Sequence, residues 1–227
     1  MRHAGDIPLQ SELVRKAIHL LSLSIPVGYI FVPQHTALAI LVPLMLAFVL
    51  VDILMHIVPP VRRLFLQLFG FLLRPHELAT DRLLLNGASY VLISACLCIL
   101  IFPKVIAVTA FAILILSDIA SALVGKRWGH TPFLDKSAEG SLAFLLVGCL
   151  VVVLLGIWLQ APWSYFIAGI LGAIVGTLTE AASIRFRMDD NLSIPLAIGT
   201  TMWLLGWIAE HWWQTPFMHL LSESALR

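Results

Sequence analysis

Read for its polar positions, the chain is a series of long apolar runs interrupted by a few short polar clusters. Seven runs approach the roughly 20 residues that a helix needs to cross a bilayer. They lie at about 13–33, 36–58, 86–102, 104–125, 140–160, 163–183 and 192–212. Between the second and third the pattern changes. Arg63, Gln67, Gly70 and Arg74 recur at i, i+4, i+7 and i+11, and the positions between them are mostly Leu, Phe and Val. That spacing predicts an amphipathic helix over about 61–74, lying in the membrane interface; a plain connector is the simpler alternative. No internal repeat or low-complexity segment is visible. The expected fold class is all-α: a polytopic transmembrane helical bundle of about seven spans plus the interfacial helix, forming one integral membrane domain over 1–227.

Composition agrees. The 227 residues are 60% hydrophobic and only 12% charged, against about 25% charged in soluble domains, and the mean hydropathy is +0.96. A formal charge of +1 argues against nucleic acid as a partner, since that calls for a basic patch or stripe. Cys96, Cys98 and Cys149 lie in apolar runs with neither a disulfide framework nor zinc spacing. Met1 to Gln10 lacks a short apolar core with a small-residue cleavage site, so no removable signal peptide is expected.

The basic residues set the orientation. All Lys and Arg except Lys104 and Arg227 precede or open span one, or fall between spans two and three, four and five, or six and seven. The connections near Pro33, Pro103 and Pro162 are nearly uncharged. The positive-inside rule then puts the N-terminus in the cytosol and the C-terminus outside, and only an odd number of spans gives this segregation.

Charge inside a membrane helix is costly and marks a candidate functional site. Asp118, Ala122, Gly125 and Gly129 fall at i, i+4, i+7 and i+11, hence on one helical face. Small residues on such a stripe can serve helix packing alone, but packing leaves Asp118 unexplained. A carboxylate there suits a hard cation such as Mg²⁺, which is usually held by one or two carboxylates plus substrate phosphates. Lys126 and Arg127 follow, then the loop His130–Asp135 and the run Lys136-Ser137-Ala138-Glu139-Gly140-Ser141. Ser137 is the expected N-cap of span five, and free amides at a helix start beside Lys136 would form an anion site. An ordinary capped helix start is the alternative.

Two further clusters lie at the same level. Glu180 sits inside the cytosolic end of span six, and Asp189, Asp190 and Asn191 at the mouth of span seven offer oxygen ligands for a divalent cation. Glu12, Arg15, Lys16 and His19 share one face of span one. Asp52 and His56, near the cytosolic end of span two, form a weaker pair of the same kind. A single polar site at the cytosolic leaflet, open sideways to lipid, accounts for these clusters together.

The pattern Asp118-x3-Ala122-x2-Gly125-x3-Gly129, Lys136-Ser137-x-Glu139-Gly140-Ser141, Glu180-x2-Ser183 and Asp189-Asp190-Asn191-Leu192-Ser193-Ile194-Pro195 resembles the dolichol kinase, phytol kinase and CTP-dependent diacylglycerol kinase family. Glu12-x2-Arg15-Lys16-x2-His19 also matches that family's first helix. The resemblance runs from residue 12 to 199 and is nearest the compact bacterial members and the phytol kinases. It implies a bacterial plasma-membrane enzyme with a cytosolic active site. The implied reaction is phosphoryl transfer from CTP, or another nucleoside triphosphate, to the hydroxyl of a membrane lipid alcohol, with Mg²⁺. In such a site Asp118, with Asp189 or Asp190, would hold the metal. Lys136, Lys126 and Arg127 would clamp phosphates beside the amides of Gly140 and Ser141, near Gly125, Gly129 and Ser137. Glu139 or Glu180 would orient the lipid hydroxyl or accept its proton, and His19, Arg15 and Lys16 would close the site.

The same central motif resembles CTP:phosphatidate cytidylyltransferases more distantly, but their longer C-terminal signature is missing here. A transporter could use intramembrane acids and helix-end glycines too, yet the outer halves of the spans carry almost no ionisable residues. A purely structural membrane subunit leaves Asp118, Glu180, Asp189 and Asp190 without a purpose.

Overall fold

The computed structural model of the protein describes residues 9–70, 85–186 and 188–222. Its helices are α1 (Leu9–Leu21), α2 (Ser24–Phe31), α3 (Gln34–Ile57), α4 (Pro59–Phe69), α5 (Gly87–Ile101), α6 (Lys104–Trp128), α7 (Ala138–Trp158), α8 (Trp163–Ala181), α9 (Ser183–Phe186) and α10 (Asp190–His211). The result is a helical membrane bundle. Five of these helices, α3, α6, α7, α8 and α10, are long and apolar enough to cross a membrane. The apolar stretches Lys16–Phe31 and Gly87–Ile101 are shorter; at 1.5 Å per residue, α5 is only about 22 Å long.

The expected first span, about 13–33, is two helices. The break falls at Ser22 and Leu23, where the Ser22 hydroxyl donates to the His19 carbonyl. Expected spans two to seven each coincide with a helix. The expected interfacial helix is α4 as far as Phe69, and it restarts after a single extended residue, Val58, with proline at its first positions. The remainder of that expected helix, with Arg74 and Arg82, lies outside the described residues.

α6 is the hub, packing on α1, α2, α5, α7, α8 and α10. Val105 through Ile115 are all buried along it. Short connections turn the chain back at one end of the bundle, and α3, α6 and α8 restart directly after Pro33, Pro103 and Pro162, because the residue before a proline disfavours helix. At that end Lys104 donates to the Val32 carbonyl at 2.9 Å and stands over the Tyr29 ring. The opposite end gathers the C-termini of α3, α6 and α8 and the N-termini of α5, α7 and α10, and it carries the polar clusters.

The segment 130–135, expected as a loop, belongs to a small hairpin. Strands β1 (Pro132–Phe133) and β2 (Lys136–Ser137) pair antiparallel, Pro132 with Ser137 and Phe133 with Lys136. Leu134 closes the turn at φ 52°. The hairpin is tied down by the Asp135 amide donating to the Ala181 carbonyl at 3.0 Å and by the Arg185 amide donating to Asp135 at 2.9 Å. It fixes the entry of β2, and hence of Lys136, over the end of α8.

Candidate functional site

Two charged groups form at the polar end. In the first, Lys16 Nζ on α1 lies 2.5 Å from Asp118 Oδ2 on α6, and His19 Nε2 lies 3.6 Å from the same oxygen. In the second, Lys136 Nζ on β2 bridges Glu180 Oε1 on α8 at 2.6 Å and Asp190 Oδ2 on α10 at 3.1 Å. Ser121 joins the two groups. It lies three residues after Asp118 on α6, and its hydroxyl donates to Glu180 Oε1 at 2.9 Å. Four elements distant in sequence thus meet around one lysine.

Burial makes this cluster consequential. The Glu180 side chain is 2% exposed and that of Lys136 27%. Desolvation by burial pulls the Lys136 ammonium down, but the charges of Asp190 and Glu180, with a further contribution from Asp118, outweigh it and hold the pKa above the ordinary lysine value. The lysine is therefore a fixed cation at neutral pH. Glu180 Oε2 and the Ser141 hydroxyl are buried with no hydrogen-bond partner among the described residues. Buried polar groups in folded proteins are usually hydrogen-bonded, which sets these two atoms apart.

That orphaned oxygen bears on whether Mg²⁺ fits. No group of three or more His, Cys, Asp or Glu converges among the described residues. Mg²⁺, however, is commonly held by one or two carboxylates together with substrate phosphates. Asp118 is paired with Lys16, and Glu180 and Asp190 share Lys136, so two carboxylates at most are left for such an ion at either lysine.

The remaining expected residues have these places. Gly125 and Gly140 face each other where α6 crosses α7: a methyl group on Gly140 would stand 3.3 Å from Gly125 Cα and 3.1 Å from the Ser121 carbonyl oxygen. One on Gly129 would stand 2.9 Å from Ser137 Cβ. These glycines let the two helices touch backbone to backbone. Ser137 caps α7 as expected, accepting from the Gly140 amide at 3.2 Å. That bond, with the Ala138 amide donating to Thr131 at 2.8 Å, engages amides that were expected to be open to an anion. Glu139 accepts from the amides of His130 and Thr131 at 3.1–3.3 Å and so braces the hairpin.

Asp189 caps α10, its Oδ1 accepting from the amide and Nδ2 of Asn191, each at 2.9 Å. Lys126 and Arg127 are exposed in the last turn of α6, with Arg127 over the Trp128 ring. The side chains of Arg15 and Glu12 lie outside those described, as does Arg187. Ser121 was not anticipated, although its position one turn from Asp118 on the same face was a usable signal.

Comparison with known proteins places the chain. An uncharacterised protein of Rickettsia prowazekii is 31% identical over 187 residues, which cover 82% of this chain and 90% of that protein. The CTP-dependent diacylglycerol kinase 1 of Saccharomyces cerevisiae is 28% identical over 216 residues, covering 85% of this chain and 72% of the yeast protein. The probable chloroplastic phytol kinase 1 of Glycine max is 31% identical over 127 residues, covering 50% of this chain and 42% of its own length. No family model matches the chain, and no solved structure matches it. A similarity that runs nearly end to end in one relative and reaches two named lipid kinases shows that this chain belongs to the dolichol kinase, phytol kinase and CTP-dependent diacylglycerol kinase family.

Proposed function

We propose that this protein is a membrane lipid-alcohol kinase that transfers the γ-phosphoryl group of CTP to the hydroxyl of an isoprenoid alcohol or a diacylglycerol. One observation carries the reading: Lys136 is bound by Glu180 and Asp190, beside the Lys16–Asp118 pair, at the end of the bundle where the helix termini meet. Phosphoryl transfer is chiefly a matter of positioning and of neutralising phosphate oxygens, and this arrangement offers fixed cations and carboxylates side by side. The relatives' names support both the lipid acceptor and CTP as donor.

In the proposed reaction the lipid oxygen forms a bond to the γ-phosphorus while the bond from that phosphorus to the β–γ bridging oxygen breaks. CDP leaves. The hydroxyl proton passes to a carboxylate, and Glu180 is favoured over Glu139 because both oxygens of Glu139 accept backbone amides, while Lys136 and Ser121 occupy only Oε1 of Glu180. Lys136 neutralises phosphate charge, and Lys16 and His19 face Asp118 from α1. Mg²⁺ would supply charge neutralisation of the triphosphate, held by Asp118 and Asp190. The lipid tail stays in the bilayer, which the laterally exposed apolar helices already require.

The topology belongs to the same proposal: seven spans in a bacterial plasma membrane, α4 lying in the interface, the N-terminus and the site in the cytosol and the C-terminus outside. The reaction is tested with purified protein, a panel of lipid alcohols and CTP labelled at either the γ or the α phosphorus. Label entering the lipid from γ-CTP alone is the expected result. Label from α-CTP, with a requirement for phosphatidate, would replace the kinase reading with that of a cytidylyltransferase.

A further inference from the structure

Asp52, in the last turns of α3, is 1% exposed, and its carboxylate is held by the start of α5. Oδ2 accepts from the Asn86 amide at 2.9 Å and from the Ser89 hydroxyl at 2.6 Å, and Oδ1 accepts from Asn86 Nδ2 at 2.5 Å. Three donors converge on two oxygens. A carboxylate is the matching group, since an amide would turn its own NH₂ toward a donor. Asn86 then caps α5 by accepting from the Ser89 amide at 3.0 Å.

The contacts continue toward the candidate site. Gly87, the first residue of α5, lies against α10: a methyl group on it would stand 3.5 Å from Asn191 Nδ2. Asn191 is bound to Asp189, the cap of α10. Asp190, the first residue of that helix, holds Lys136. α5 packs on α3 and on α10, and its start touches both, through Asn86 and Ser89 on Asp52 and through Gly87 beside Asn191.

We propose that Asp52 is a positioning residue of the site: through Asn86 and Gly87 it sets the first turn of α10, and so places Asp190 for Lys136. The inference rests on the lipid-kinase reading. Asp52 acts on phosphate binding only by way of α5 and α10. A plain clasp between α3 and α5 would affect stability and nothing else, and the two roles are separable.

The test is a double-mutant cycle on the affinity for CTP with Mg²⁺, measured on the full chain in nanodiscs. Asp52→Asn in the wild-type background should weaken CTP binding about tenfold, a coupling in the range seen for residues of one network. In an Asp190→Asn background the same change should have little further effect, because the contact it positions is already gone. Ser89→Ala, which removes one donor and leaves the carboxylate, should give a smaller loss with the same dependence on Asp190, and it carries the cycle if Asp52→Asn does not fold. Unchanged CTP affinity in the Asp52 and Ser89 variants overturns the inference alone, as does an equal loss in both backgrounds. Failure of the wild-type protein to bind CTP at all overturns the kinase reading as well.

Discussion

With Glu180 only 2% exposed, removing the Lys136 ammonium strands a carboxylate charge inside the bundle. Breaking a buried pair in this way costs about 3–5 kcal/mol, so Lys136→Ala should lower the melting temperature in detergent. It should also lower turnover by about two orders of magnitude, as removal of a preorganised charge stabiliser does. Lys136→Ala combined with Glu180→Gln should recover the stability; unchanged turnover in the single Lys136→Ala variant, assayed below its melting temperature, would show the lysine to be structural only. The sign of the pH dependence follows from the same pair. A lysine pKa raised above 10.5 in the folded state contributes stability that is fully present below 10.5 and is lost as pH rises through the folded value. The melting temperature should therefore be insensitive to Lys136 titration through neutral and mildly alkaline pH. By contrast, Asp190→Asn leaves Lys136 its bond to Glu180, and it should abolish turnover with little loss of stability.

Among the elements, the α6–α7 crossing controls how close Asp118 and Ser121 stand to Lys136. Gly125 and Gly140 meet there at backbone distance, and neither partner is a flexible side-chain tip that could move aside. Gly140→Leu should cost about 1–3 kcal/mol by overpacking and should lower activity more than the loss of stability explains, because it parts α6 from the hairpin that carries Lys136. A thermal-shift series paired with initial rates checks this. Unchanged rates would mean that the crossing can open without disturbing the lysine. Ser137→Ala removes only the cap of α7 and should cost about 1 kcal/mol.

At the scale of the molecule, the polar connections gather at one end and Lys104 is bound at the other. Cysteine labelling in intact cells reads this directly, after Cys96, Cys98 and Cys149 are replaced. A cysteine at position 160 should react with an impermeant reagent added outside, and one at position 136 only after permeabilisation. The reverse pattern would invert the proposed orientation, and reactivity of both from outside would break the alternation of spans.

The apolar runs were long enough to name the later helices from the sequence. Backbone groups must be satisfied internally in lipid, so a run of that length has few alternatives to helix. Prolines at 33, 103 and 162 and the cap Ser137 marked where helices restart, because each acts within a turn of its own position; the capping of α10 by Asp189, expected instead as a metal ligand, emerged only in the structure. The polar residues announced a site for a similar reason: Asp118, Glu180 and Lys136 stand out against hydrocarbon wherever the chain folds. What those residues do to one another was decided only by tertiary structure. Lys136 and Glu180 lie on different elements, and no local rule couples a strand of a two-residue hairpin to the end of α8. The break at Ser22, the use of Gly125 and Gly140 for close packing, and the commitment of Glu139 to the hairpin amides likewise arise from neighbours distant in sequence or from the geometry of the hairpin. Asp52 is the clearest case. In sequence it was half of a weak pair with His56. In the bundle its carboxylate, itself buried, grips Asn86 and Ser89, because three donors at the start of α5 converge on its two oxygens.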